Sequence, residues 1–240
     1  MDTQPIHHIA VIPDGNRRWA RRRGLPGPQG HVEGMKKFGE VAKETFRLGV
    51  RYFTFWAASE SNLTKRTKEE VAVLMMLFRD EIVRQLQAKE FDELHVRVRV
   101  HGKGLEILGD KKFTDAVRDL EEKSSKYTDK QLTILFGYNG TTEMLEAIQS
   151  IASESRIKNQ ELRITDELIR THLWTGELPD VDLVIRTGSA GDPHNSAGFM
   201  MWLTKESQFY FTDTYFPDFG KKGLAEAFEE YARRERRLGK

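Results

Sequence analysis

Short β-branched or aromatic runs alternate with longer stretches of helical spacing along this chain. "HIAVI" (8–12) is such a run, cut off at once by Pro13-Asp14-Gly15, and it predicts a buried strand opening into a loop. Arg17 to Arg23 predicts a short helix stopped by Gly24, and "GLPGPQG" (24–30) predicts a mobile loop that could act as a flap. Phe38, Val41, Ala42, Phe46 and Leu48 lie near helical spacing, so 31–48 reads as a helix. "VRYFTFWA" (50–57) reads as a strand, 59–67 as a loop and 68–89 as a long helix. "HVRVRVHG" (95–102) alternates as a strand, 110–126 reads as a helix, "QLTILFGY" (131–138) as a strand and 141–155 as a helix. "VDLVIRTG" (181–188) is a strand running into a loop, "QFYFT" (208–212) the last strand, and Leu224 to Leu238 a charged helix.

Strands alternating with helices, with no internal repeat, predict an α/β fold: one domain over 1–240, with a largely parallel central sheet flanked by helices. Ligands of such sheets sit beyond the carboxyl ends of the strands. Three polar loops follow strands, at 13–18, 59–67 and 186–198, and they are the expected seats of chemistry.

Composition narrows the classes. With 38% hydrophobic and 31% charged residues, the 240-residue chain has the balance of a globular protein. A net charge of +1 argues against a nucleic-acid binder. Absence of cysteine excludes a disulfide framework and a thiolate zinc site. The opening residues carry no signal-like apolar run, and the longest apolar run, "VAVLMMLF" (71–78), is too short to span a bilayer. A soluble, cytoplasmic protein is expected.

The loop at 13–18 passes from strand to helix and so turns backbone N–H groups toward an anion. Gly15 permits close approach, Asn16 can hydrogen-bond, and Arg17 and Arg18 add forks suited to phosphate oxygens. Asp14 would repel such a ligand unless it holds a divalent cation, and Mg²⁺ commonly binds one or two carboxylates together with phosphate oxygens. An Asp-Gly turn before an exposed basic helix accounts for the same residues without a ligand. The 186–198 loop, "RTGSAGDPHNSAG", again follows an apolar strand and offers Arg186, Gly188, Ser189, Gly191, Asn195, Ser196 and Gly198 as a second phosphate cradle. Neither G-x-x-x-x-G-K-[ST] nor G-x-G-x-x-G occurs, which disfavours a P-loop hydrolase and a dinucleotide fold.

The helix at 68–89 is apolar on two sides. Val71, Leu74, Met75, Phe78, Ile82 and Leu86 form one stripe, and Val73, Met76 and Leu77 make the opposite side apolar too. Packing between the sheet and other helices explains this, as does an apolar channel along one face. Leu74, Met75, Met76, Phe78, Leu132 and Ile134 are the candidates for closing such a channel. Two phosphate sites beside it would suit isoprenoid diphosphates.

"HIAVIPDGNRRWA", "GHVEGMKK", "DLVIRTG", "FMMW", "YFTDTYFPDF" and "RRERRLG" together resemble, in order and over nearly the whole chain, the cis-prenyltransferases of the undecaprenyl diphosphate synthase family. The resemblance implies a one-domain α/β enzyme, usually a homodimer. Such enzymes condense isopentenyl diphosphate with an allylic diphosphate such as farnesyl or geranyl diphosphate, using Mg²⁺, to give a cis-polyprenyl diphosphate and pyrophosphate. It implies Asp14 as the metal-positioning catalytic aspartate, and Gly15, Asn16, Arg17 and Arg18 as holders of the allylic diphosphate with Trp19 packed behind them. By the same match, His31 lies near that diphosphate, Ser59 and catalytic Asn62 follow the second strand, and Arg186 and Ser196 bind isopentenyl diphosphate. Arg237 resembles the C-terminal arginine that reaches the partner subunit's site. Peripheral contact with a membrane would serve release of a lipid product.

This chain departs from the family pattern at four places. Gln208 stands where a metal-binding glutamate is usual, Gly27 replaces a flap arginine, and Leu63 replaces a frequent tryptophan, leaving Lys65 or Arg66 to supply nearby charge. The late loop is lengthened to "PHNSAGF" (193–199), so His194, Asn195 and Ser196 compete for the second diphosphate. The alternatives are a non-catalytic partner of an active homologue and a short-chain or irregular terpene diphosphate synthase.

Overall fold

The computed structural model describes residues 5–65, 67–87, 90–159 and 162–234. Strand β1 (His8–Ile12) leads into α1 (Asn16–Arg22) and α2 (Gly27–Arg47), followed by β2 (Tyr52–Ser59) and the short α3 (Glu60–Thr64). Next come α4 (Lys68–Gln87), α5 (Glu90–Glu93), β3 (Val96–His101), α6 (Gly104–Leu108), α7 (Lys111–Ser124) and β4 (Lys130–Tyr138). The chain continues through α8 (Gly140–Lys158), α9 (Asp166–His172), β5 (Leu183–Arg186) and β6 (Gln208–Phe211) to α10 (Phe216–Arg233).

The six strands form one parallel sheet in the order β3-β4-β2-β1-β5-β6. From β1 the chain builds outward on one side and later returns to build on the other, so the order reverses between β1 and β5. Crevices at such a reversal are where open parallel sheets bind ligands. The register pairs Ile12 of β1 with Arg186 of β5 and thereby fixes what meets at the carboxyl ends.

Both faces of the sheet are covered, as parallel strands require. On one face Ile9, Val11, Phe53 and Phe55 meet Phe38, Val41 and Phe46 of α2 and Phe216 and Phe219 of α10. On the other, Ala10, Ile12, Trp56 and Leu135 meet Leu178, Phe199, Met200 and Leu203. The alternation along β1 is the strand's two-residue period. Among the described residues, no helix is long and apolar enough to cross a membrane.

The fold corrects several sequence expectations. The expected flap ends early: α2 begins at Gly27, with proline in its first turn, where the fixed φ suits a helix start and the missing N–H costs nothing. The loop expected at 59–67 contains α3, whose N-cap Ser59 accepts the Asn62 N–H at 3.1 Å. The last helix starts at Phe216, and the expected extension to 238 lies outside the described residues.

Candidate active site

At the reversal of strand order lies a cleft of about 630 Å³ lined by Asp14, Gly15, Asn16, Arg17, Arg18 and Arg21 from β1's exit and α1, and by His31 of α2. Trp56, Ser59, Ser61 and Asn62 line it from β2 and α3, and Arg186, Ser196 and Ala197 close the far side. Four of these side chains are arginines and one is a carboxylate, which makes the cleft an anion trap.

The carboxylate sits at the centre. Asp14 Oδ1 accepts the Gly15 N–H at 2.6 Å and pairs with Arg18 Nη2 at 3.1 Å, while Oδ2 pairs with Arg186 Nη2 at 3.3 Å. Its backbone is locked to Thr187: the Asp14 N–H donates to Oγ1, and that hydroxyl donates to the Asp14 carbonyl at 2.8 Å. Gly15 adopts φ +97°, and a Cβ there would collide with the Tyr215 ring, so only glycine carries the chain through this turn. Arg18 and Arg22 lie over that ring, 5.3 and 4.7 Å from its centroid.

Arg186 is buried and held from two sides. Its Nη1 donates to the His194 carbonyl and to Ser196 Oγ, each at 2.7 Å, and its Nε is buried with no protein acceptor. A guanidinium fixed in this way, with N–H donors left over, suits an oxyanion. Of His194, Asn195 and Ser196, Ser196 is the one on the cleft wall. The His194 ring backs Ser196, with Nε2 3.2 Å from its Oγ and Nδ1 2.9 Å from the Asp192 carbonyl oxygen, and Asn195 Nδ2 donates to the Phe199 carbonyl. The remaining part of the expected second cradle turns away: Gly188 and Ser189 donate their N–H groups to Thr214 and Thr212 beside β6.

A narrow apolar gap of about 20 Å³ leaves the cleft past Pro13, Asn16 and His31 and runs between Met35, Phe55, Leu77 and Phe216. Met35 and Leu77 also border a groove of about 530 Å³ between α2 and α4. Of the residues expected to close such a channel, Met75, Leu132 and Ile134 are buried in the core beyond this gap's lining, and Met76 is 53% exposed. The side chains of Leu74 and Phe78 lie outside the described residues.

Residues 12–239 match the profile of the family described as "Putative undecaprenyl diphosphate synthase". The chain belongs to this family. It is 37% identical over 236 residues to the tritrans,polycis-undecaprenyl-diphosphate synthase (geranylgeranyl-diphosphate specific) of Pyrococcus horikoshii, covering 97% of this chain and 86% of that one. It is 36% identical to the isoprenyl transferase of Thermotoga maritima, over 97% of this chain and 96% of the relative. Its fold is similar to a lavandulyl diphosphate synthase from Lavandula x intermedia, solved in complex with dimethylallyl diphosphate, with a TM-score of 0.89, 27% identity and 98% of each chain covered.

Ten of the residues that the undecaprenyl diphosphate synthase resemblance singled out converge on one cleft. Asp14, Gly15, Asn16, Arg17, Arg18, His31, Ser59, Asn62, Arg186 and Ser196 all line it. Trp19 does not; it leaves α1 toward α10, donating from Nε1 to Asp218 at 2.8 Å with Arg23 stacked on its ring. Arg66 and Arg237 lie outside the described residues. Gln208 is not on the cleft wall, and its Oε1 accepts from Arg234 at 3.4 Å. Ile12, Pro13, Arg21, Trp56, Ser61 and Ala197 complete the wall and were not expected. Arg21 follows Arg17 by one helical turn, which was a legible signal. Gly30 and Gly34 were also missed as packing residues: a Cβ at either would strike Asn16, so their four-residue spacing lets α2 press against the start of α1.

Proposed function

We propose that this chain extends an allylic diphosphate with isopentenyl diphosphate, forming cis-prenyl diphosphates and releasing pyrophosphate. The observation that carries the reading is the seating of one carboxylate among four cleft arginines at the strand-order reversal, at the mouth of an apolar gap. Arg17, Arg18 and Arg21, with the backbone at Gly15 and Asn16, hold the allylic diphosphate. Arg186 and Ser196 hold isopentenyl diphosphate. The prenyl tail follows the gap past Met35 and Leu77.

Mg²⁺ suits these residues. Asp14 is the carboxylate on the described cleft wall, and a single carboxylate plus phosphate oxygens is a usual Mg²⁺ donor set. No cluster of three or more acidic or histidine side chains occurs among the described residues, so diphosphate oxygens would have to complete the coordination. When bound, the ion supplies positive charge against the departing pyrophosphate. With a cation held at Asp14, Arg18 and Arg186 would be free to turn from their present ion pairs to phosphate oxygens. The arginines then stabilise the leaving group while the cleft aligns the isopentenyl double bond with the allylic carbon, and loss of a proton sets the new alkene. Asn62 orients the group that receives this proton.

In this reading the chain works as a cytoplasmic homodimer, with Arg237 reaching the partner's cleft and the lipid product leaving at a membrane surface. Purified protein given farnesyl diphosphate, labelled isopentenyl diphosphate and Mg²⁺ is expected to yield longer prenyl diphosphates. No extension with geranyl, farnesyl or geranylgeranyl diphosphate would assign it instead as a non-catalytic partner, as the glutamine at 208 would suit. A branched or irregular bond in the product would assign it to short terpene synthesis.

A further inference from the structure

Behind the Arg186 wall, a buried polar chain has no part in the chemistry above. Glu143, in the first turn of α8, is 3% exposed, and its carboxylate meets only donors. Oε1 accepts the Thr175 N–H at 2.8 Å and the Thr175 hydroxyl at 2.9 Å, and Oε2 accepts the Tyr138 hydroxyl at 2.5 Å. The Tyr138 oxygen in turn accepts the Met200 N–H at 3.1 Å. Burial, and then the charge of Glu143, push the Tyr138 phenol well up from its ordinary value, so it stays a donor.

The far end of this chain is the turn that carries Ser196. Ala197 and Met200 both hold left-handed backbone, at φ +47° and +46°, a conformation non-glycine residues keep only when their surroundings impose it. The surroundings come from α8. The Gly140 N–H donates to the Ala197 carbonyl, and Gly140 lies so close beneath the Gly198 carbonyl that no Cβ fits between them. The Tyr138 hydroxyl holds Met200. Four residues earlier, Ser196 grips Arg186, which reaches Asp14.

We infer that Tyr138 and Glu143 are positioning residues that set the isopentenyl-diphosphate wall of the cleft by pinning the strained 196–200 turn. The inference rests on the substrate assignment proposed above. The same helical turn steadies the opposite wall independently, because Thr142 donates to Glu60 of α3 at 2.7 Å.

The test is steady-state kinetics of Tyr138→Phe and Glu143→Gln, with a thermal melt of each. Tyr138→Phe keeps the buried ring and removes the hydroxyl that Met200 and Glu143 share. Glu143→Gln has one acceptor oxygen for two sets of donors. Each variant is expected to raise KM for isopentenyl diphosphate roughly tenfold, leaving KM for the allylic primer within about twofold of wild type. A purely structural role would lower the folded fraction without that split. Unchanged KM values, equal rises for both substrates, or failure of both variants to fold would overturn the inference. Absence of extension by wild type would instead defeat the substrate reading.

Discussion

The two ends of β1 solve opposite problems. At its start His8 is fully buried, and every polar atom of its ring is matched: Nδ1 donates to the Pro179 carbonyl and Nε2 accepts the Thr54 hydroxyl, both at 2.8 Å. A carbonyl can only accept, so Nδ1 carries a proton, and burial keeps the ring neutral, leaving Nε2 to accept. Burial lowers the His8 pKa from 6.5 to about 4, although the Pro179 carbonyl and the nearby Asp182 and Asp180 charges pull it upward. Two residues past the strand's last position, Asp14 is 39% exposed on its side chain and ringed by arginines. One end is closed and silent; the other is open and overcharged. The contrast teaches that along β1 buried polarity is satisfied internally at the end that supports the fold, and charge is left in excess at the end that faces the cleft.

The largest effect that would sharpen the contrast belongs to the open end. Asp14→Ala is expected to cut turnover about 10³-fold, or ~4 kcal/mol of transition-state stabilisation, and to shift Tm by only a few degrees. Product chromatography beside a melting curve reads both. The closed end should show the reverse. The folded pKa of His8 lies below its unfolded value, so stability is full above pH 6.5 and falls as pH drops toward 4, where the loss levels off. The size is about 3 kcal/mol, read as the fall in denaturant midpoint of the wild type across that window, and it should be largely missing in His8→Gln.

Smaller effects refine the open end. Arg186→Lys keeps the charge but cannot satisfy Ser196, the His194 carbonyl and Asp14 with one ammonium, and KM for isopentenyl diphosphate should rise about tenfold, near 1.4 kcal/mol. Met35→Ala, which widens the gap beside Leu77, should move the product distribution toward longer chains with little change in turnover. An unchanged product ladder would show that the tail takes another route.

The open end was legible because its signals are local. A β-branched run, an Asp-Gly turn and an arginine pair lie within eleven residues (8–18), and the strand-helix alternation supplies the parallel sheet that brings Arg186 alongside. What the sequence hid depends on contacts made across space. Gly27, Pro28 and Gly30 look like loop residues, yet the proline opens a helix whose Gly30 lets it press against Asn16. The gap is lined by Met35, Phe55, Leu77 and Phe216 from four separate elements, which periodicity within one helix cannot reveal. The late loop reads as a continuous phosphate cradle, yet its first glycine and serine are spent on bonds beside β6, and only its two ends, Arg186 and Ser196-Ala197, face the cleft. Tyr138 and Glu143 read as the end of a strand and an ordinary helix-opening acid. Their shared burial gives them their role.

The central claim is that Asp14 tolerates its anionic ligand because a divalent ion joins the two. Calorimetric titration of inorganic pyrophosphate into wild type and Asp14→Ala, each with and without Mg²⁺, tests it directly. Wild type should bind at least about tenfold more tightly with Mg²⁺, while Asp14→Ala should bind through its arginines equally well either way. The same Mg²⁺ enhancement in both proteins would contradict the account.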